Sequence, residues 1–232
     1  MRCAIYFIPP REHPLCALAG AWLRRDPYTG LRIDTLTTSL GEERHAAVTA
    51  APRRYGFHAT IKAPFRLAEP WTVEDVASSL DDFTLNAPSF GLDLGISEIG
   101  EFFAYVSRVP SDELSELADQ IVTAFDPFRA PLDETDLARR NLDRLPAEQR
   151  HNVMTWGYPY VFDQFRFHMT LTGALSPSDM PTVRDALDAH FGTAPYRVDV
   201  SQLVLAVEPA AGAPFVIHSV HRFAAARERL TA

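Results

Sequence analysis

The chain has 232 residues, 47% of them hydrophobic and 22% charged, a balance that fits a globular protein and excludes a disordered or collagen-like one. A chain of this length buries roughly 70–75% of its unfolded surface, so its fold needs no disulfide or metal staple. Acidic residues outnumber basic ones by 30 to 22, giving a formal net charge of −8; this disfavours an extended nucleic-acid surface built on counterion release and leaves a small anionic ligand open.

In chain order, the apolar run Cys3-Ala-Ile-Tyr-Phe-Ile8 reads as a first strand stopped by Pro9-Pro10. It is too short for a signal-peptide core or a membrane span, so a cytoplasmic location is expected. With no secretion signal, Cys3 and Cys16 are expected as two buried, reduced thiols. Leu15, Leu18, Ala19, Trp22 and Leu23 follow helical spacing, whereas Pro27 to Arg54 shows little periodicity and is expected as a loop over a cleft. Phe57-His-Ala-Thr-Ile61 comes next, and Thr72-Val-Glu-Asp75 then forms a capping box opening a helix to about Asp82, before strand-like segments near Phe90 to Ile96.

The same order recurs. Phe102 to Val109 reads as a strand, and Ser111 caps a helix whose apolar positions Leu114, Leu117, Ala118, Ile121, Val122 and Phe125 keep a 3.6-residue period. Arg129 to Tyr160 has no counterpart in the first half and is an insertion. Its densely charged part, Asp133 to Arg144, and a helical stretch from Pro146 suggest a solvated helical pair rather than a lid. After Phe167-His-Met-Thr-Leu171, Ser176-Pro-Ser-Asp179 marks a helix start running to about Phe191. Two strands, Tyr196 to Val207 and Phe215 to Phe223, close the chain around a Pro209 to Pro214 turn region. The repetition predicts one domain, 1–232, of two similar lobes, about 1–100 and 101–232, with the helical insertion at 129–160.

Alternate residues of a strand share a face. His58, Thr60 and Lys62 therefore point one way while Phe57, Ala59 and Ile61 face a core. In the second copy Arg166, His168, Thr170 and Thr172 oppose Phe165, Phe167, Met169 and Leu171. One histidine on a strand is most often structural, but two copies of Phe-His-x-Thr-aliphatic in equivalent places are improbable by chance among 8 His and 15 Phe. Water opening a cyclic phosphodiester needs a base on the attacking oxygen and an acid on the leaving oxygen, on opposite sides of phosphorus. Imidazole, with a pKa of about 6.5, serves both roles near neutral pH, and threonine hydroxyls can donate to the non-bridging oxygens. No metal is required by this scheme.

Lys62 is the one lysine among the 22 basic residues. Lys62 and Arg166 each lie two residues from a motif histidine on the same face, so an anionic ligand is their natural partner. Tyr6 on the first strand, and Trp156, Tyr158 and Tyr160 before the second motif, offer rings for a base or ribose. The sequence holds no Gly-x-Gly-x-x-Gly, Walker loop, zinc-spaced Cys/His set or Gly-x-Ser-x-Gly elbow, and no cofactor or metal is expected.

Phe57-His-Ala-Thr-Ile61 and Phe167-His-Met-Thr-Leu171 resemble the paired motifs of the 2H phosphoesterase superfamily, over nearly the whole chain. The longer stretches Tyr55 to Phe65 and Trp156 to Gly173 resemble a bacterial branch associated with phosphonate-utilisation operons. The resemblance implies an α+β, bilobal duplicated fold: two antiparallel sheets flanked by helices, with the motif strands facing a central cleft. It implies metal-independent work on cyclic or 2′-5′ phosphodiesters by His58, Thr60, His168 and Thr170, with His168 as base and His58 as acid. The branch points to a small phosphorylated sugar such as 5-phosphoribosyl 1,2-cyclic phosphate, with Lys62, Arg166, Tyr6 and Tyr158 as candidate binding residues. An RNA-end or nucleotide 2′,3′-cyclic phosphodiesterase is the alternative of the same class. A non-catalytic ligand-binding module is the alternative of another class, against which the intact His and Thr in both copies argue. No membrane partner is expected.

Overall fold

A computed structural model describes residues 1–34, 38–140 and 142–224. Its strands are β1 (Arg2–Phe7), β2 (Ala59–Phe65), β3 (Phe90–Ile99), β4 (Phe102–Ser107), β5 (Met169–Thr170), β6 (Tyr196–Val200), β7 (Gln202–Glu208) and β8 (Val216–Arg222). All pair antiparallel in the order β6-β3-β4-β5-β2-β1-β7-β8. Where two sheets were expected there is one, because Met169 pairs with Ala59 on one side and Tyr105 on the other, joining two four-stranded halves. The sheet halves exchange strands along the chain. β3, early in sequence, lies beside β4, whereas β7 and β8 lie beside β1, so residues 1–100 and 101–232 do not map one to one onto them.

The expected single strand Tyr196 to Val207 is broken at Ser201 into β6, at one edge of the sheet, and β7, near the other. Consecutive Cα atoms are only 3.8 Å apart, so this one-residue link requires the sheet to curl until its halves meet. Ser201 O accepts from Phe223 N at 2.9 Å at that junction.

Seven α-helices accompany the sheet among the described residues: α1 (Pro14–Leu23), α2 (Glu42–Tyr55), α3 (Val73–Asn86), α4 (Asp112–Ala124), α5 (Glu134–Arg140), α6 (Ala147–Trp156) and α7 (Met180–Phe191). Strand alternation sorts the two faces. On β1, Cys3, Ile5 and Phe7 enter the main core with Leu15 and Trp22, while Ala4 and Tyr6 turn to the other face with Ala206 and Phe215. The α4 stripe is buried at Leu114, Leu117, Ala118, Ile121 and Val122, and the Thr72–Asp75 capping box is formed on α3. Helix α7 begins at Met180 rather than Ser176, whose hydroxyl instead accepts from Asp179 N in a turn at 3.2 Å. Cys3 and Cys16 are buried and unbridged. No helix among the described residues is long and apolar enough to cross a membrane.

The stretch Pro27 to Arg54, expected as a loop, contains α2. Pro52 lies inside this helix and cannot donate to the Val48 carbonyl one turn earlier. That carbonyl accepts from Gly173 N at 2.7 Å, so the irregularity in α2 holds the chain just after the second motif. Trp22 Nε1 donates to Leu171 O at 3.0 Å, and Leu171 N and Thr172 N both donate to Phe103 O. The hydroxyl of Thr172, a residue 1% exposed, accepts in turn from Phe103 N at 3.0 Å. A two-residue strand is thus fixed largely from outside its own ladder. Thr172→Val leaves Phe103 N–H buried without a partner and is expected to cost about 1–3 kcal/mol. Thr172→Ser, which keeps the hydroxyl, is expected to retain most of that stability, with urea unfolding of both variants as the measurement.

Candidate active site

The pairing of Ala59 with Met169 sets the site. In an antiparallel pair the neighbouring positions follow, His58 opposite Thr170 and Thr60 opposite His168. Ala59 and Met169 are fully buried, so these four polar residues occupy the opposite face. The two histidines are diagonal neighbours, with backbones about 7–8 Å apart. Two residues on each strand thus make a quartet related by approximate two-fold symmetry.

Both rings are oriented alike. His58 Nδ1 meets Gly56 O at 3.0 Å, and His168 Nδ1 meets Arg166 O at 2.8 Å. A carbonyl only accepts, so each Nδ1 carries the hydrogen and each Nε2 is left for the cleft. Gly56 has φ +78°, a conformation natural to glycine, which turns its carbonyl toward His58 as α2 ends. Thr60 Oγ1 lies 3.2 Å from His58 Nε2 and donates to its lone pair. Tyr6, 2% exposed, lies against the His58 ring with centroids 3.9 Å apart. Burial pushes the His58 pKa down from 6.5 to about 4; His168 and Arg25 add in the same direction, against the bond to Gly56. The His58 ring is therefore neutral at pH 7, the form of a proton acceptor.

The quartet lies between two hollows. One, of about 350 Å³, contains His58, Thr60, Lys62 and Thr170; the other, of about 430 Å³, contains His168, Arg166, Tyr160 and Phe102. Thr60 and Tyr158 border both. Lys62 is 4% exposed, and its ammonium is paired inside the protein, donating to Val122 O at 2.9 Å and Asp126 Oδ1 at 3.4 Å. Burial lowers its pKa from 10.5 to about 8, with Asp126 opposing the shift. Arg166 is exposed and has no ion-pair partner among the described residues. Tyr158 stands under Arg140, whose guanidinium carbon lies 5.1 Å from the ring centre, and burial raises its phenol pKa.

The first hollow also contains cations that strand parity did not single out: Arg2, Arg66, Arg129 and Arg140. The insertion contributes the last two, so it borders the cleft rather than merely packing on the body. Arg129 binds Asp126 through Nε at 2.8 Å and Nη2 at 3.1 Å. Only the seven-residue run Asp126 to Leu132, which mixes Asp, Arg and Pro, hinted at such a role, and the spacing gave no partner.

The family described as "Protein of unknown function (DUF1045)" matches residues 60–216. "Ribose 1,5-bisphosphate phosphokinase PhnN" of Janthinobacterium sp. (strain Marseille) is 37% identical over 222 residues, covering 93% of this chain and 49% of that protein. The protein of the same name from Laribacter hongkongensis (strain HLHK9) is 36% identical over 215 residues, 93% of this chain and 50% of its own. The chain thus spans about half the length of these curated relatives. Among solved structures, a "phosphoesterase" is 15% identical at a TM-score of 0.46, covering 96% of this chain and 98% of that one. E. coli LigT complexed with NADP+ is 14% identical at a TM-score of 0.44, covering 96% of each chain.

The lowered pKa of His58 has a consequence for stability. Between its ordinary value of 6.5 and about 4, the unfolded ring binds a proton that the folded ring refuses. Stability from this group is therefore complete above pH 6.5 and declines as the pH falls toward 4. His45, fully buried against Trp22, is also lowered to about 4, chiefly by burial, and adds the same trend. Thermal unfolding should show this slope, and His58→Gln should flatten it. Ring NMR of His58 should give a midpoint near 4, whereas one near 6.5 would contradict the account.

Proposed function

This chain belongs to the DUF1045 family, and we propose that it is a phosphoesterase that opens the cyclic phosphodiester of a small phosphorylated sugar without a metal. The observation that carries this reading is the quartet: two histidines with the same Nδ1-to-carbonyl bond, alternating with two threonines about one strand pairing. A substrate phosphorus between the Nε2 atoms has water on one side and the leaving oxygen on the other. His58, held neutral by burial, takes the proton from water; His168 protonates the departing oxygen. This reverses the roles that the superfamily resemblance implies. The Thr60 hydroxyl turns from His58 Nε2 to a non-bridging oxygen, and Thr170 serves the other, where charge builds in the transition state.

The resemblance to the phosphonate-associated branch favours 5-phosphoribosyl 1,2-cyclic phosphate. Water attack with cleavage of the bond from phosphorus to O2 leaves the phosphate on O1 and a hydroxyl at C2. The product is ribose 1,5-bisphosphate, the compound in the name of the relatives. The kinase activity in that name is not assigned to this chain, which carries no Gly-x-x-x-x-Gly-Lys-Ser/Thr loop. One domain of two lobes with an insertion at 129–160, in a cytoplasmic setting, belongs to the same reading. Tyr6 serves as the platform that keeps His58 neutral, and Tyr158 as the ring between the two hollows.

A second reading has its own support. The hollow on the His168 side is bordered by Phe102, Tyr160 and Phe165 and by the amides of Gln149 and Gln164. Rings that stack and amides that pair with ring edges suit the base of a nucleoside 2′,3′-cyclic phosphate.

His58→Ala and His168→Ala are each expected to lower turnover by roughly 10²- to 10⁴-fold, and the double variant by less than the product of the two. A p-nitrophenyl phosphodiester, whose leaving group needs no proton, should largely rescue His168→Ala and not His58→Ala. The opposite pattern would exchange the roles, and full activity in either variant would remove the mechanism. Turnover should persist in excess chelator; its loss, with recovery on adding zinc or manganese, would point to a metallohydrolase.

A further inference from the structure

We propose that Lys62, Asp126 and Arg129 form a subsite for a second phosphate on the substrate, and that Arg129 sets the preference for a 5-phosphorylated sugar. The inference rests on the sugar reading above. One carboxylate is shared by two cations: Asp126 receives Lys62 Nζ at 3.4 Å and Arg129 Nε and Nη2 at 2.8 and 3.1 Å. The three side chains are only 4%, 11% and 23% exposed for Lys62, Arg129 and Asp126. The triad therefore holds a net charge of +1 in a poorly solvated wall, an arrangement costly until an anion completes it.

Donors remain for that anion. Lys62 has three N–H groups and uses two, on Val122 O and Asp126. Arg129 commits Nε and Nη2 to Asp126 and Thr155 O, leaving Nη1 with only a 3.5 Å contact to Ala130 O. Room for the guanidinium comes from Gly157, at φ +77°: a Cβ there would lie 3.0 Å from Arg129 Cδ and 3.4 Å from Nη1. Lys62 and Arg129 border the same hollow as His58 and Thr60. Lys62 lies two residues beyond Thr60, past a shift in register at which β2 carries one more residue than β1: Thr60 pairs with Tyr6 and Lys62 with Ile5.

The other cations fit less well. Arg166 borders the opposite hollow, beside His168. Arg2 lies on the first hollow, but Arg54, which shares its carboxylate Glu208, is 39% exposed and lies outside that hollow, so the charge of this pair is solvated. Strand parity paired Lys62 with Arg166; the packing pairs it with Arg129.

Two measurements test the subsite. Titration calorimetry with ribose 5-phosphate, which has no cyclic phosphate, reads binding without turnover: wild type should bind and Arg129→Met should bind roughly 10- to 150-fold more weakly. Arg129→Lys should recover part of the loss, and thermal melting of each variant checks folding. Absent binding to wild type, or equal binding to Arg129→Met, overturns the subsite. The second measurement compares kcat/KM for ribose 1,2-cyclic phosphate with and without its 5-phosphate. Arg129→Met should lower the first selectively by the same factor; equal proportional losses overturn the assignment and leave the ion pair structural. A selective loss in Arg2→Met instead moves the subsite to the other wall. Wild type that binds ribose 5-phosphate yet turns over neither sugar and accepts nucleoside 2′,3′-cyclic phosphates would refute the sugar reading and, with it, the role in preference.

Discussion

The pairing of Ala59 with Met169 is the constraint on which the rest depends. Side chains alternate with period 2, so a slip of one residue would turn His168 and Thr170 into the core and bring Met169 to the cleft. A ladder with one paired position on the β2 side cannot hold that register by itself. It is held by the burial of Ala59 and Met169 and by bonds from elements distant in sequence. Trp22 reaches Leu171, Val48 reaches Gly173, and Phe103 binds both backbone and hydroxyl of Thr172. The proline that weakens α2 supplies one of these bonds by freeing a carbonyl.

Charge is organised around the same pairing. The chain carries a net charge of −8, yet the wall beside His58 gathers Arg2, Lys62, Arg66, Arg129 and Arg140. Poorly solvated cations are tolerated there by sharing a carboxylate, as Lys62 and Arg129 share Asp126; Glu208 likewise joins Arg2 to Arg54, which is the more exposed of the two. Each arrangement compensates one of two positive charges. The uncompensated remainder, with the low solvation that keeps His58 neutral, is an environment that a phosphate changes more than it would change a solvated surface. A bound anion would stabilise both the cations and a protonated histidine, so in the proposed reaction substrate binding and proton transfer draw on one electrostatic balance.

The parts of the fold that were legible in the sequence are those set by local periodicity and caps. The α4 stripe, the Thr72–Asp75 box and the alternation about both motifs are of this kind, and all follow from neighbours within a few residues. Helix α2 was not legible because its stretch, Glu42 to Tyr55, buries little beyond His45, Thr49 and Pro52, and a proline inside it reads as a breaker. The break at Ser201 and the fusion of two half-sheets depend on where strands distant in sequence meet, which alternation does not encode. Among site candidates, the four His-x-Thr positions came from parity and fell together on one face. Lys62 borders the same hollow as His58 and Thr60, but a register shift between Thr60 and Lys62 breaks the alternation that put it on their face, and its partner Asp126 lies on a turn after α4, beyond the reach of any strand rule.

The insertion shows why composition misled. Its middle is highly charged, as a solvated helical pair should be, and α5 and α6 together bury little. Its ends behave differently, because both must return to the body next to the cleft. Arg129 enters and Trp156, Gly157 and Tyr158 leave, and the two ends are fastened by Arg129 Nη2 to Thr155 O at 2.8 Å. Residues at such a junction are held by the sheet on one side and freed from its repeat on the other. In the proposed mechanism the strands supply acid and base in a geometry fixed by register, whereas the junction can carry an arginine at any depth that a facing glycine permits. The proposed chemistry and the proposed preference for substrate thereby rest on different parts of the chain: the first on paired strands, the second on the ends of an inserted loop.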